Sequence, residues 1–188
     1  MTTITRPLLW IFVDWDETIT SKDTLCLIAP PDDNKPNSSP PFSFFAKYYM
    51  SVTTEFENSF GPRDTLPRQL EYLHDLGPAE KKSVMKIEEL GLFKNVTVQD
   101  IKQRSKSVKF RSGFQDFIAA LGQRAEHVRF MGVLSVNWSA VFIRTALEHV
   151  LGSEFVKTFE IRANVRFTSS LLMLCRKLKW TKKGKVPG

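Results

Sequence analysis

The chain has 188 residues, of which 42% are apolar and 25% charged, and its formal net charge is +7. That is the composition of one globular domain able to bury a sizeable core, and it excludes an intrinsically disordered chain. Two cysteines, Cys26 and Cys175, stand at no metal-like spacing, which argues against a disulfide scaffold or a zinc site and makes a reducing, cytoplasmic setting the expectation.

No apolar run nears the ~20 residues of a membrane helix. The first, Leu8 to Val13, stops at Asp14 and has no small-residue cleavage site, so neither a secretory signal nor a membrane span is expected. The positive charge is concentrated at one end. Residues 175–188 hold six basic side chains and no acid, and without them the body is near neutral. Such a tail is expected to be a solvated end, and nucleic acid is expected as a partner only through it.

Leu8 to Val13 is short, apolar and rich in β-branched and aromatic residues, the pattern of a fully buried strand. Asp14 to Thr20 reads as the turn behind it. Residues 29–41 contain Pro30, Pro31, Pro36, Pro40 and Pro41, which excludes helix or central strand. Aromatics at roughly helical spacing fill Phe42 to Phe60. Leu66, Leu70, Leu73 and Leu76 follow the three-four spacing of an amphipathic helix. Further helices are expected around Val84–Leu90, Thr97–Ser107 and Phe114–Leu121. Val128 to Leu134 reads as a second buried strand, Ser139 to Leu151 as a helix, and Val156 to Ile161 as a short third strand. This order implies a parallel α/β core with a helical cap inserted after the first strand. The boundaries drawn are 1–28 and 110–174 for the core, 29–109 for the proline-rich loop and cap, and 175–188 for the basic tail.

The chemistry-bearing residues are Asp14 and Asp16, directly behind the first strand. In open parallel sheets, ligands bind at the carboxyl ends of strands. In an extended turn, residues two apart point the same way, so both carboxylates can approach one substrate. Such a pair can hold a hard divalent cation such as Mg2+. It can also divide nucleophile and general-acid roles. Glu17, Arg111 and the three histidines read as surface or packing residues. A glycosyltransferase DxD is disfavoured, because thirteen residues cannot hold a nucleotide-binding region ahead of it.

"IFVDWDETIT" resembles the first motif of the haloacid dehalogenase-like (HAD) hydrolase superfamily, in its phosphoserine-phosphatase-like branch, and "VLSVNWS" resembles the second. "LGLF", "FRSGFQDFI" and "EIRAN" resemble the cap and later core segments, so the resemblance covers roughly residues 8 to 165. It implies a Rossmann-like core and Mg2+-dependent hydrolysis of a small-molecule phosphomonoester. In it, Asp14 is the nucleophile that carries an aspartyl-phosphate, and Asp16 is the acid and base. Asp14 and Asp16 hold the metal. Thr18 supports the motif, and Ser135, Val136 and Asn137 bind the phosphate.

The family's third-motif lysine and its fourth-motif acids are not recognisable: beyond Ser135 the acids are Glu148, Glu154 and Glu160 alone. The expectation is therefore a truncated member with impaired activity, or a catalytically inactive HAD-fold protein that binds a phosphate ligand or a protein partner.

Overall fold

The computed structural model describes residues 8–33 and 39–163. The basic tail 175–188, with its nucleic-acid reading, and Cys175 lie outside the described residues, as does the end of the expected core at 174. The chain runs through strand β1 (Leu9–Asp14), a tight turn (Trp15–Ile19) and a single helical turn, α1 (Leu25–Ile28). Four helices come next: α2 (Phe42–Phe60), α3 (Leu66–Asp75), α4 (Gly77–Glu89) and α5 (Val98–Ser105). Helix α6 (Phe114–Gly122) leads to β2 (Val128–Leu134), and α7 (Ala140–Leu151) and α8 (Ser153–Val156) lead to β3 (Phe159–Arg162). The fold is thus mixed α/β. Its sheet, among the described residues, has three parallel strands in the order β1-β2-β3.

Local chemistry sets several helix boundaries. Thr65 accepts from the Arg68 amide, with Pro67 in the first turn of α3. Proline is tolerated there because the early N–H groups lack intrahelical partners. Thr97 and Asp100 form a reciprocal capping box at the start of α5, with the Asp100 carboxylate accepting from the Thr97 amide at 2.8 Å and its hydroxyl at 2.6 Å. These bonds favour the ionised form and hold the Asp100 carboxyl below its usual range.

Both crossovers, β1 to β2 and β2 to β3, step in the same direction across the sheet. Right-handed connection therefore puts their helices on one face. On that face Ile11, Val13, Met131, Val133, Phe159 and Ile161 meet Ile101, Ile118, Phe142, Ile143, Ala146 and Leu147 in one apolar core. A second, smaller core joins Ala29, Phe45, Ile87 and Leu92 within the inserted segment.

The expectation that β1 is fully buried is corrected. Trp10 and Phe12, on the other face, are 62% and 56% exposed. Their side chains lie over Phe130, with ring centroids 5.2 and 5.3 Å away. The reason is the one-sided placement of the helices: a strand's side chains alternate between faces, and among the described residues only one face is covered.

Gly132 lies beside Phe12 in the register. A Cβ there would stand 2.8 Å from Phe130 Cε1 and 3.3 Å from Phe12 Cδ1. Gly132→Ala should therefore cost about 1–2 kcal/mol by forcing the Phe130 ring aside, and Gly132→Val more, both measurable by urea unfolding. A second expectation concerns acid. A carboxyl with a depressed folded pKa contributes stability above its ordinary value, here 3.8, and loses it as pH falls through the lowered folded value. The acid limb of the stability–pH curve should therefore flatten in Asp100→Asn, and an unchanged limb would count against the capping bond.

Candidate functional site

Asp14 ends β1, and the chain turns sharply. Trp15 drops into the core and is fully buried. The turn closes where the Thr20 amide donates to the Trp15 carbonyl at 3.0 Å and the Glu17 amide donates to Thr20 Oγ1 at 3.1 Å. Glu17 itself sits in the left-handed region, φ 58°. A non-glycine residue there carries about 1 kcal/mol or more of strain. The turn is braced from outside. Arg111 Nη2 donates to the Glu17 carbonyl at 2.5 Å, and the Arg111 and Ser21 amides donate to the Ile19 and Lys109 carbonyls, each at 2.9 Å. Arg111 is thus a clamp on the turn.

The two aspartates are held differently. Asp14 is exposed, and its Oδ2 accepts from the Thr18 hydroxyl at 3.2 Å. Asp16 is half-buried, and its Oδ1 accepts from the Thr24 amide at 2.7 Å and the Thr24 hydroxyl at 2.6 Å. Thr24 Oγ1 in turn accepts from the Trp15 indole N–H at 2.9 Å and from Asn137 Nδ2 at 3.0 Å. Asn137 Nδ2 also lies 3.4 Å from Asp16 Oδ2.

This buried network ties the turn after β1 to the loop after β2. In that loop the Asn137 amide donates to Ser135 Oγ at 2.9 Å, and Asn137 Oδ1 accepts from the Ser139 amide at 3.2 Å. Ser139 caps α7 by accepting from the Phe142 amide at 3.2 Å. Trp138 packs edge-on against Phe42 and Phe93 of the inserted segment.

A cleft of about 460 Å3 opens at the carboxyl ends of the three strands, lined by Asp14, Leu134, Ser135, Val136, Arg162 and Ala163. Of the residues expected from sequence, Asp14, Ser135 and Val136 line it. Asp16 and Asn137 form its hydrogen-bonded support, with the Asn137 side chain committed inward, and Thr18 holds Asp14. Arg162, Thr24 and Trp15 are additions. Arg162 ends β3, and its Nε donates to Glu160 at 2.5 Å. The signal for Arg162 was its place within the segment Glu160 to Asn164; nothing in the pattern marked Thr24.

Electrostatically, Asp14 and Arg162 place opposite charges on the outer strands, with Ser135 just past the end of the middle one. Because Ser135 Oγ accepts from Asn137, its own hydroxyl proton is available for a ligand. The Cys26 thiol is pushed up by partial burial first, then by the carboxylates of Asp23 and Asp16, so it stays protonated at neutral pH. Among the described residues no group of three or more His, Cys, Asp or Glu converges on a metal position. The two aspartates are hard oxygen donors, which suits only a divalent cation that keeps most of its own waters.

Fold and site define a class: an α/β protein with an open cleft, lined by apolar side chains together with Asp14, Ser135 and Arg162, at the carboxyl edge of a parallel sheet. The chain is similar to Cold tolerance protein 1 of Saccharomyces cerevisiae, 28% identical over 180 residues, covering 82% of this chain and 54% of that protein. It is also similar to the CTO1 family protein C17G9.12c of Schizosaccharomyces pombe, 32% identical over 139 residues, covering 73% and 49%. The chain spans about half the length of these curated relatives. No family model and no solved structure matches it.

These findings overturn the HAD hydrolase assignment. The relatives carry the cold-tolerance and CTO1 names, not a hydrolase's, and no family model supports the resemblance. With the assignment go the phosphomonoester reaction, the aspartyl-phosphate on Asp14, the inactive HAD-fold alternative and the reading as a truncated member. Among the described residues, no helix is long and apolar enough to cross a membrane.

The network around Thr24 has a measurable weight. Thr24→Val keeps the shape but leaves the Trp15 indole, the Asn137 amide and Asp16 short of partners. Each buried unsatisfied group costs about 1–3 kcal/mol. Thr24→Val should therefore lose at least about 2 kcal/mol in chemical unfolding and alter the emission of Trp15, whereas Thr18→Val, at the exposed end of the turn, should lose less than half as much.

Proposed function

We propose that the chain binds a small anionic molecule, accompanied by a hydrated divalent cation, in the cleft at the carboxyl ends of β1, β2 and β3. We further propose that it serves tolerance of cold, the role that the name of the Saccharomyces cerevisiae relative gives to that protein. One observation carries the ligand reading: Asp14, Ser135 and Arg162, at the ends of three neighbouring parallel strands, line one cleft. That is where open parallel sheets take their ligands.

Each residue has a role in this reading. Arg162 supplies a planar fork of N–H donors to an anionic group. The Ser135 hydroxyl and the amide of Val136 add short-range donors beside it. Asp14, with Thr18 fixing one of its oxygens, holds the cation through water or directly. Asp16 is oriented by Thr24 and Asn137, which keeps its charge beside the cation position instead of free to rotate. The bound cation would supply positive charge that lets Asp14 and an anionic ligand share the cleft.

The sheet with residues 29–109 inserted is read as a Rossmann-like core carrying a helical cap, joined at Trp138, and the compartment we assign is the cytoplasm.

The cation is tested with Mn2+, followed by proton relaxation of water or by broadening of amide signals. Asp14→Asn should weaken Mn2+ binding by about tenfold or more, equal to about 1.4 kcal/mol per factor of ten. Lys157→Ala, on the far surface, should leave it unchanged. Equal Mn2+ binding by wild type and Asp14→Asn would refute the cation site. The biological role is tested by expressing the chain in Saccharomyces cerevisiae that lacks Cold tolerance protein 1 and comparing growth at low and ordinary temperature. Restored growth in the cold, lost again in Arg162→Ala, is the expected result.

A further inference from the structure

We propose that the ligand of the cleft is a dicarboxylate: two carboxylate groups joined by a short apolar bridge, one group on Arg162 and the other on the cation at Asp14. This ligand rests on the anion-and-cation reading of the same cleft and gives the anion its shape. Strand register sets that shape. Asp14 is the partner of Leu134 in the β1–β2 ladder, and Leu134 is the partner of Arg162 in the β2–β3 ladder. The three form one row across the sheet, on one face, with the apolar residue in the middle. Neighbouring strands lie about 4.8 Å apart, so the backbones of Asp14 and Arg162 are separated by roughly 10 Å. The Ser135 amide donates to the Arg162 carbonyl at 2.9 Å and carries the β2–β3 pairing past the end of the strand.

The two charges at the ends of the row do not satisfy each other. Asp14 accepts from Thr18, Arg162 spends its Nε on Glu160, and among the described residues no ion pair joins Asp14 to Arg162. The two Nη groups of Arg162 remain as donors for a ligand. A cation at Asp14 makes that end of the row attractive to an anion as well. The row then has two anion-binding ends, with Leu134 between them, 44% exposed, and Val136 and Ala163 in the same lining. A single anionic group satisfies one end and leaves the other to water. A polar bridge gives up its hydration over Leu134 and finds no partner there. An apolar bridge gains from the same contact, by up to about fourfold in affinity for each methylene removed from water.

The start of α7 favours carboxylate over a larger oxyanion. A helix N-terminus with free amides is the usual cradle for phosphate. Here the Ser139 amide donates to Asn137 Oδ1 and the Phe142 amide to Ser139 Oγ, so the chain's own side chains take these donors. What faces the ligand is the planar guanidinium of Arg162 and the Ser135 hydroxyl, a set that matches a planar carboxylate.

The test titrates the full chain, loaded with Mn2+, with succinate, glutarate and adipate, and with hexanoate as the monocarboxylate of adipate's chain length. Binding is read from the relaxation of ligand protons by the bound Mn2+. The best of the three dicarboxylates should bind about tenfold or more tighter than hexanoate, the weight of one added charge-assisted contact. Arg162→Ala should remove that advantage and leave hexanoate as it was, a difference that loss of folding does not produce. Leu134→Asn should weaken adipate a few-fold. Hexanoate bound as tightly as the dicarboxylates, or an Arg162→Ala loss equal for both kinds of ligand, would overturn the dicarboxylate and leave the cation site standing. Failure of Mn2+ alone to bind through Asp14, seen before any ligand is added, would instead overturn the cation reading and the dicarboxylate with it.

Discussion

Handedness of connection is the constraint on which most of this structure depends. The two crossovers step the same way across the sheet, from β1 to β2 to β3, and a right-handed path places their helices on one side. That side gathers Met131, Val133 and Phe159 against α5, α6 and α7 and becomes the main core. The opposite side keeps Trp10, Phe12 and Leu134 in contact with solvent. Parallel sheets are ordinarily covered on both faces. Among the described residues this sheet is covered on one side, and that sets where their exposed apolar surface lies.

The same parallel arrangement creates the cleft. All three strands end on one edge, so the residues that close them, Asp14, Leu134 and Arg162, meet there without any loop reaching across. The turn behind β1 is nonetheless strained: Glu17 takes a left-handed backbone that a glycine would adopt at less cost. The strain is held by bonds from outside the turn's centre, Arg111 to the Glu17 carbonyl and Thr20 to the Trp15 carbonyl. Backbone strain of this kind persists only where surrounding structure over-determines it. Here the surrounding structure includes the Thr24 network, which joins the first and second strand ends through Asn137. Asp16 is held in place by that network.

Much of this was legible from residue order. The leucines at 66, 70 and 73 marked one face of α3. The runs at 128–134 and 139–151 placed β2 and α7 within a residue or so, because apolar periodicity and capping residues are local signals. Asp14 and Asp16 stand behind the first strand in the sequence and at its carboxyl end in the fold. Burial of β1 was not legible: "LLWIFV" reads alike whether one face or both are covered, and cover is decided by the direction of crossovers more than a hundred residues away. Thr24 was invisible because its partners, Trp15, Asp16 and Asn137, are eight or more positions distant. The resemblance makes Asn137 a phosphate contact; in the fold its side-chain amide donates to Thr24 and its backbone amide to Ser135. The family resemblance was carried by the short motifs at the strand ends. Those residues do meet in the fold, yet meeting at a strand end is what any ligand-binding parallel sheet does.

The open face and the cleft are one continuous surface. Asp14 and Phe12 lie on the same side of β1, two residues apart, and Leu134 and Phe130 on the same side of β2, with Gly132 between them. Leu134 lines the cleft while 44% of its surface is exposed. Whatever covers Trp10 and Phe12 therefore ends beside Asp14. Excluding water next to that carboxylate strengthens its interaction with a cation, since charge interactions grow as the local dielectric falls.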